Sequence, residues 1–245
     1  MKINFYHGTK KESAIIIKNM NKILPSMGDG EWLGDGVYFF DKEFHAYKWI
    51  ERLHDNYYKK NNKRKYERVC TEQHIKDVFK RFTILISCIE IDDFRILDMD
   101  DPDHRILYDR VLINVKKQPI YTSRMNKQGA LEHGVILNIM FNSMGDVFKN
   151  KYYIVKAQFP KNKSIRYIEK NNKLGFPAEI QYCVKDINKV LDDIFFNKLE
   201  FINDNDEKIK ELNEKIKILY SEKIVSIPSN MKYTVKKGSL SWKGG

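Results

Sequence analysis

Continuous and alternating apolar runs predict the strands of this chain. Ile3 to Tyr6 alternates apolar and polar side chains, which is typical of a short, half-buried strand. Phe82 to Ile91 is almost continuously apolar and therefore predicts a strand in the buried centre of a sheet. Further strands are predicted at 37–40, 151–159 and 179–184.

Apolar residues at helical spacing predict helices between these strands. The first runs from about Lys10 to Met20, with Thr9 as a candidate N-cap and an apolar face formed by residues 14–17. Asp41 is a candidate cap for a second helix that carries several aromatic residues. Later helices are predicted at 105–115, 130–144 and 206–224, and 186–196 is predicted as a short helix or a turn that follows a strand.

The order of these elements predicts a fold class and a domain division. Strands and helices are mixed without a regular βαβ repeat, so we expect an α+β protein. The composition changes near residue 202, which separates a main domain at 1–202 from a helical extension and flexible polar tail at 203–245. The extension carries a narrow apolar stripe formed by Ile209, Leu212, Ile216 and Leu219.

The composition of the chain predicts its cellular compartment and the kind of partner it binds. The 245 residues include 44 Lys or Arg and 33 Asp or Glu, a formal net charge of +11 that predicts an anionic partner. No apolar run is long enough for a spanning helix and no signal pattern is present, so we expect a cytoplasmic protein without a membrane partner. The cysteines form no CxxC pair and the histidines no HExxH motif, so no metal site is predicted.

The first segment with candidate chemistry is Tyr6–Thr9, at the end of the first predicted strand. Gly8 has no Cβ, so a flat ligand can approach the backbone beside the His7 imidazole. The alternative is a turn with a solvated histidine.

The second segment combines glycines with aromatic residues. Gly34 and Gly36 precede the predicted aromatic strand, and Trp49 lies on the helix that follows it. Tyr38 and Trp49 are suited to form two walls of a slot for a planar ring. The alternative is a hairpin that enters an aromatic core.

The third segment is the strand predicted at 179–184. Period-two alternation puts Glu179 and Gln181 on one face, with Ile180 and Tyr182 on the other. Two adjacent polar groups opposite an apolar face can line a cleft, although an ordinary half-exposed strand has the same pattern.

Taken in order, the segments YHGT, WLGDGVYFF, AYKW and EIQYCV resemble the motifs of the ADP-ribosyltransferase superfamily. The likeness is to the His-Tyr-Glu branch shared by diphtheria-type toxins and poly(ADP-ribose) polymerases. Within it, the motifs are most similar to small bacterial enzymes of toxin-antitoxin and phage-defence systems. The resemblance implies a split β-sheet with flanking helices, NAD as co-substrate, no metal, and transfer of ADP-ribose with release of nicotinamide.

The resemblance also implies roles for single residues. His7 matches the residue that holds the adenosine-side ribose of NAD, and Gly8 the one whose backbone binds the nicotinamide amide. Tyr38 and Trp49 match the two positions that stack on the nicotinamide ring. The implied cofactor-binding residues are His7, Gly8, Thr9, Gly36, Tyr38 and Trp49. Residues 21–31 match the loop that folds over NAD, and Ala46 replaces a serine that often bonds the amide.

The chain departs from the family at its last motif. Gln181 occupies the position of the catalytic glutamate, so the implied catalytic set is His7, Tyr38, Glu179 and Gln181. A glutamine can bond the ribose 2′-hydroxyl but supplies no charge to an oxocarbenium-like ribose. Glu179, on the same strand face, is the candidate for that charge or for a general base. A non-catalytic module that binds NAD or ADP-ribose is the alternative.

Basic residues predict the acceptor. One basic run spans 59–68, and a second includes Lys161, Lys163 and Arg166, interleaved with aromatic residues before the strand of Gln181. This combination is typical of single-strand binders and favours RNA or DNA over a protein acceptor. An RNA 2′-phosphotransferase of the same fold is a further alternative. Such an enzyme would need a second histidine, and arginines in place of Tyr38. The apolar stripe either packs on the main domain or docks an antitoxin.

Overall fold

A mainly antiparallel seven-stranded sheet organises the chain. A computed structural model describes residues 1–28, 30–61, 72–118, 133–143, 145–159, 179–202, 207–220, 233–236 and 239–242. The strands of the sheet are β1 Lys2–Lys10, β2 Val37–Phe40, β3 Phe82–Glu90, β4 Ile96–Asp98, β5 Ile154–Phe159, β6 Glu179–Val184 and β7 Glu200–Phe201. They lie in the order β4-β5-β6-β2-β1-β3-β7, and β4 pairs with β5 in parallel.

Helices cover both faces of this sheet. They are α1 Lys11–Met20, α2 Glu43–Asn61, α3 Glu72–Arg81, α4 Pro102–Lys116, α5 His133–Ser143, α6 Gly145–Lys151, α7 Ile187–Val190, α8 Asp193–Asn197 and α9 Glu207–Tyr220. In the polar tail, β8 Tyr233–Lys236 pairs with β9 Ser239–Trp242 as a hairpin, where the sequence predicted no regular structure. No helix in these ranges combines the length and apolar character needed to span a bilayer.

Three apolar clusters pack against the sheet. Because side chains alternate along a strand, Phe5, Phe39 and Tyr182 lie on one face, where α1, α7 and α8 cover them. On the opposite face, Cys183 belongs to a cluster with α4, α5 and α6. Phe40, on that same face, packs with α2, α3 and α9. This layered arrangement of helices on a mixed sheet confirms the predicted α+β class.

Strand β1 corrects the first predicted strand. It continues to Lys10, so His7, Gly8 and Thr9 lie inside a strand and not at its end. The physical reason is the neighbouring strand: β3 pairs with β1 without interruption from Lys2↔Glu90 to Lys10↔Phe82. Main-chain hydrogen bonds to β3 therefore extend β1 beyond the short run where hydrophobic alternation is visible.

Helix α1 begins one residue later than predicted and without the expected cap. Lys10 occupies the N-cap position and makes no side-chain capping bond, because Thr9 is held in β1 opposite Thr83. Ala14 and Ile17 are buried, but Ile15 and Ile16 are exposed. The predicted four-residue apolar face is therefore wrong at its middle two positions, which point away from the sheet.

The remaining predictions place most elements within a few residues. The strand predicted from residue 151 begins at Ile154, because the chain up to Lys151 is still helical. The segment 186–196 contains two short helices, each begun by an aspartate whose side chain accepts a backbone N–H. Strand β3 is buried on both faces but lies beside the two-residue β7, not at the sheet centre.

The apolar stripe of α9 packs on the main domain. Ile209, Leu212 and Ile216 are buried in the cluster formed with α2 and α3, and Lys215 forms an ion pair with Glu43 at the start of α2. This is the first of the two alternatives that the sequence left open. The side chain of Leu219 lies outside the described residues.

Candidate functional site

The predicted site residues come from three neighbouring strands. The sheet places β1 beside β2 and β2 beside β6, so segments near residues 7, 38 and 181 meet although they are far apart in sequence. Tyr6 pairs with Phe40, and Phe40 pairs with Gln181 on its other side. In the described chain, Tyr6↔Phe40 is the pair that joins β1 to β2, so the two strands separate just as β1 reaches His7.

His7 is fixed across the opening between β1 and β2. Its Nδ1 lies 2.8 Å from the carbonyl oxygen of Tyr38, and its ring packs at a tilt against Phe39. A carbonyl only accepts hydrogen bonds, so Nδ1 carries the proton and Nε2 is left as an acceptor. Burial lowers the pKa of His7 below 6.5, and the bond to Tyr38 only partly opposes this shift. The imidazole is therefore neutral and presents an acceptor nitrogen.

Gly8 lies against helix α2. A Cβ at this position would come 2.6 Å from Cγ2 of Ile50, 2.9 Å from the carbonyl oxygen of Ala46 and 3.2 Å from Cδ1 of Trp49. Glycine is therefore required for the close approach of strand and helix, whatever else its backbone binds. The same approach brings the Trp49 side chain next to β1.

Trp49 is partly exposed on α2. The guanidinium of Arg52, one turn further along, lies 4.4 Å from the centre of its ring. A cation over the ring face stabilises this indole position and adds positive charge beside it. Thr9, the next predicted residue on β1, is half-buried and follows Gly8 towards the start of α1.

Tyr38 is held by its hydroxyl group. The hydroxyl donates to the carbonyl of Gly34 at 2.7 Å and accepts from the backbone N–H of Leu33 at 2.9 Å. Burial raises the pKa of Tyr38 well above its ordinary value of 10, so the phenol stays neutral. These two bonds attach the hydroxyl edge of the ring to the segment 31–36. The hydroxyl is therefore occupied, and a ligand would contact Tyr38 by stacking on the face of its ring.

The two glycines of the GDG motif allow tight packing of this segment. Gly34 has a φ of +74°, and a Cβ there would lie 2.3 Å from Oδ1 of Asn138 on α5. Gly36 has a φ of +156°, and a Cβ there would lie 2.5 Å from Sγ of Cys183 on β6. Gly36 was predicted to bind the cofactor; in the structure its missing side chain makes room for β6.

Lys185 completes the attachment of the segment 31–36. Its Nζ donates to the carbonyl of Leu33 at 2.6 Å and to the carbonyl of Asp35 at 2.7 Å. Burial lowers the pKa of Lys185, with the nearby Cys183 and Asp35 opposing that shift. Sequence analysis did not find this residue, because its partners are backbone carbonyls more than a hundred positions away.

Glu179 and Gln181 share a strand face, as predicted. The side-chain amide of Gln181 donates to Oε1 of Glu179 at 2.5 Å. Gln181 is buried and Glu179 half-buried, whereas Tyr182 belongs to the cluster on the opposite face. The bond fixes the amide orientation: the nitrogen points to Glu179 and the carbonyl oxygen of Gln181 remains available as an acceptor.

A separate cavity of about 680 Å³ lies beyond the C-terminal end of β6. It is lined by polar and aromatic side chains that include Asn138, Lys149, Tyr152, Lys185 and Asp186. None of the six residues predicted to bind NAD lines it, but residues 21–23 and 25 of the loop predicted to fold over NAD do. The predicted acceptor residues Lys161, Lys163 and Arg166, and residues 62–68 of the first basic run, lie outside the described residues.

These observations define the class of protein: an α+β fold in which a candidate polar site crosses three neighbouring strands. No family model matches the chain. Over 196 residues the chain is 31% identical to the uncharacterized protein MJ0359 of Methanocaldococcus jannaschii, an alignment that covers 76% of this chain and 83% of the archaeal protein. The chain belongs to the same family as that archaeal protein.

Proposed function

We propose that this protein is an NAD-dependent mono-ADP-ribosyltransferase that transfers ADP-ribose to nucleic acid, with RNA as the favoured acceptor. It would act in the cytoplasm as a toxin or anti-phage effector. The observation that carries the proposal is the placement of His7, Tyr38 and the Glu179–Gln181 pair on the adjacent strands β1, β2 and β6. Those are the positions to which the motif resemblance assigns NAD binding and catalysis.

The state of His7 supports its proposed role at the ribose of NAD. With Nδ1 bonded to Tyr38, the free Nε2 can accept a hydrogen bond from a ribose hydroxyl. The neutral ring does this without adding charge beside the pyrophosphate. The indole of Trp49, which lies next to Gly8, and the face of Tyr38 would enclose the nicotinamide ring.

The Glu179–Gln181 pair supports catalysis despite the missing glutamate. In the proposed reaction the bond between ribose and nicotinamide breaks, its electron pair leaves with the nicotinamide nitrogen, and positive charge develops on the ribose. The carbonyl oxygen of Gln181 would accept a hydrogen bond from the ribose 2′-hydroxyl. The amide nitrogen of the same side chain donates a hydrogen bond to the carboxylate of Glu179. The negative charge of this carboxylate would polarise the amide and so stabilise the transition state. Alternatively, the carboxylate would act as the general base that takes the proton of the incoming nucleophile.

A non-catalytic module that binds NAD or ADP-ribose is the second candidate. Glutamine in place of the catalytic glutamate is the observation in its favour. A calorimetric titration with NAD, run beside an assay of nicotinamide release, separates the two candidates. Binding without release selects the module, and release that depends on His7 and Tyr38 selects the enzyme.

The acceptor requires its own experiment. Purified protein is incubated with labelled NAD and with separate RNA, DNA and protein fractions, and label is measured in each. We expect label in RNA, and label in protein alone would select the alternative of a protein target. Neutralising Lys161, Lys163 and Arg166 together is expected to reduce acceptor labelling and leave NAD affinity nearly unchanged, because phosphate contacts govern nucleic-acid affinity.

A further inference from the structure

A buried cluster of polar residues lies between α2 and α3, outside the site described above. His54 and Asp55 come from α2 and His74 from α3, and the three residues are 2%, 4% and 7% exposed. One potential ligand atom from each residue lies within 4.8 Å of those from the other two. Two imidazoles and a carboxylate at this depth are unusual, because such groups are rarely buried without a strong interaction.

His54 is the residue that most needs an explanation. Neither of its ring nitrogens makes a hydrogen bond within the described part of the chain, although both are buried. Oδ1 of Asp55 lies 3.8 Å from Nδ1 of His54, which is beyond hydrogen-bond distance. An imidazole nitrogen offers a lone pair to a metal ion, which makes histidine a common metal ligand.

A second carboxylate lies within reach of the same cluster. Glu51 is one turn before His54 and Asp55 on the same face of α2, and its side chain is buried. Its Oε1 lies 3.6 Å from Nε2 of His74, and its other oxygen accepts a hydrogen bond from Lys48. The cluster therefore offers two imidazoles and up to two carboxylates from two helices.

We propose that His54, Asp55 and His74 bind a divalent transition-metal ion of the Zn²⁺ type, with Glu51 as the candidate fourth ligand. Nitrogen ligands favour Zn²⁺, Co²⁺, Ni²⁺ or Fe²⁺ over Mg²⁺ and Ca²⁺, which prefer oxygen. Ligand atoms around tetrahedral zinc lie about 3.3 Å apart, given metal–ligand bonds of about 2.0–2.1 Å. The observed spacing of up to 4.8 Å is wider than this, so the side chains would move closer together when the ion binds.

The position of this site predicts a structural role. The ion would connect α2 to α3, and α2 is the helix that packs Ala46 and Ile50 against Gly8 in β1. The residues come from 54–55 and 74, so no short motif reveals them, and the sequence predicted no metal site. The proposal is independent of the proposed transferase activity, and it is tested by metal binding alone.

The test is a metal titration of the full chain after treatment with a chelator. We expect one equivalent of Zn²⁺ to bind, and Co²⁺ to bind with the intense visible absorption of a four-coordinate site. His54→Ala and His74→Ala are each expected to weaken Co²⁺ binding about 100-fold or more. His104→Gln is the matched control, because His104 lies on α4 and bonds the backbone of Asp98.

Three results would overturn the proposal. They are a folded parent protein that binds no Zn²⁺ or Co²⁺, an octahedral Co²⁺ spectrum in the parent, and binding that His54→Ala leaves unchanged. If the alanine variants do not fold, Asp55→Asn takes their place, since it preserves the shape of the side chain. We expect weaker binding in Asp55→Asn.

Discussion

The side-chain amide of Gln181 donates a hydrogen bond to the carboxylate of Glu179, two residues earlier on the same face of β6. The pair joins the neutral amide of Gln181, which the motif resemblance aligns with a catalytic glutamate, to the carboxylate of Glu179, with 2.5 Å between the amide nitrogen and Oε1. In the proposed chemistry the two side chains act as one unit. Their separate contributions can be tested by exchanging them.

Glu179→Gln is expected to lower the rate of nicotinamide release about 10- to 1000-fold, because it removes the negative charge behind the ribose contact. The exchange variant Glu179→Gln with Gln181→Glu retains one carboxylate and one amide, so we expect it to recover much of the lost rate. Steady-state kinetics with NAD measures both. Glu90→Gln is the matched control, since Glu90 is an exposed carboxylate on β3. Equal rates for Glu179→Gln and the parent would exclude the role proposed for Glu179.

Lys185→Met is expected to lower the free energy of unfolding by about 2–4 kcal/mol. The change removes the donor that the carbonyls of Leu33 and Asp35 share, and both bonds are partly buried. Urea denaturation followed by circular dichroism measures the loss. Lys189→Met is the control: its lysine is exposed and pairs with Asp186, so we expect a change within about 0.5 kcal/mol. Similar losses for the two variants would contradict the structural role of Lys185.

Gly36→Ala is expected to destabilise the fold by about 2–4 kcal/mol, since the new Cβ would lie 2.5 Å from Sγ of Cys183 at a φ that alanine rarely adopts. Two other glycines separate steric conflict from backbone strain. Gly28 has a φ of +136° with no atom within 4 Å of a Cβ, so Gly28→Ala measures strain alone. Gly30 has open space and no positive φ, and Gly30→Ala should be nearly neutral. Thermal melts should rank the losses in the order Gly36, Gly28, Gly30.

The stability of the protein is expected to fall as the pH drops below about 6.5, in part because of His7. Burial lowers the pKa of His7 in the folded state, so below the unfolded pKa the unfolded chain binds more protons than the native one. The stabilisation is therefore complete above pH 6.5 and is lost as the pH falls through the lowered folded pKa. His7→Gln removes this contribution.

Chemical denaturation at several pH values between about 5 and 8 measures this effect as the difference between parent and His7→Gln. Burial lowers the pKa of His54 as well, so the pH dependence of the parent alone does not isolate His7. The difference between the parent and His7→Gln does. We expect the two stability curves to converge towards low pH. Parallel curves over the whole range would show that His7 has an ordinary pKa.

Local sequence patterns correctly predicted strands and helices where buried and exposed side chains follow a regular repeat along the chain. The alternation of 179–184 correctly placed Glu179 and Gln181 on one face, because side-chain direction in a strand depends only on the two-residue repeat. The run Phe82 to Ile91 identified β3 by its nearly continuous apolar character, which is typical of a strand buried on both faces. The ends of β1 and α1 were less accurate, because backbone pairing with β3 overrides the local signals around Thr9.

The candidate site could be predicted only as separate pieces. The segments around residues 7, 38 and 181 each suggested chemistry, and the resemblance to a known motif order linked them. Sequence reasoning missed Lys185 and Asn138, which attach the segment 31–36 to β6 and α5. It also missed the cluster of His54 and His74, since their proximity depends on how α2 packs against α3.

The amino-acid sequence by itself determined the α+β class, most strands and helices, and the shared face of Glu179 and Gln181. These properties depend on residues close in sequence, through backbone periodicity and the burial of apolar side chains. Tertiary structure alone decided the strand order that brings His7 to the carbonyl of Tyr38 and the buried position of Lys185. Contacts between distant segments depend on the packing of the whole chain, and no local pattern records them.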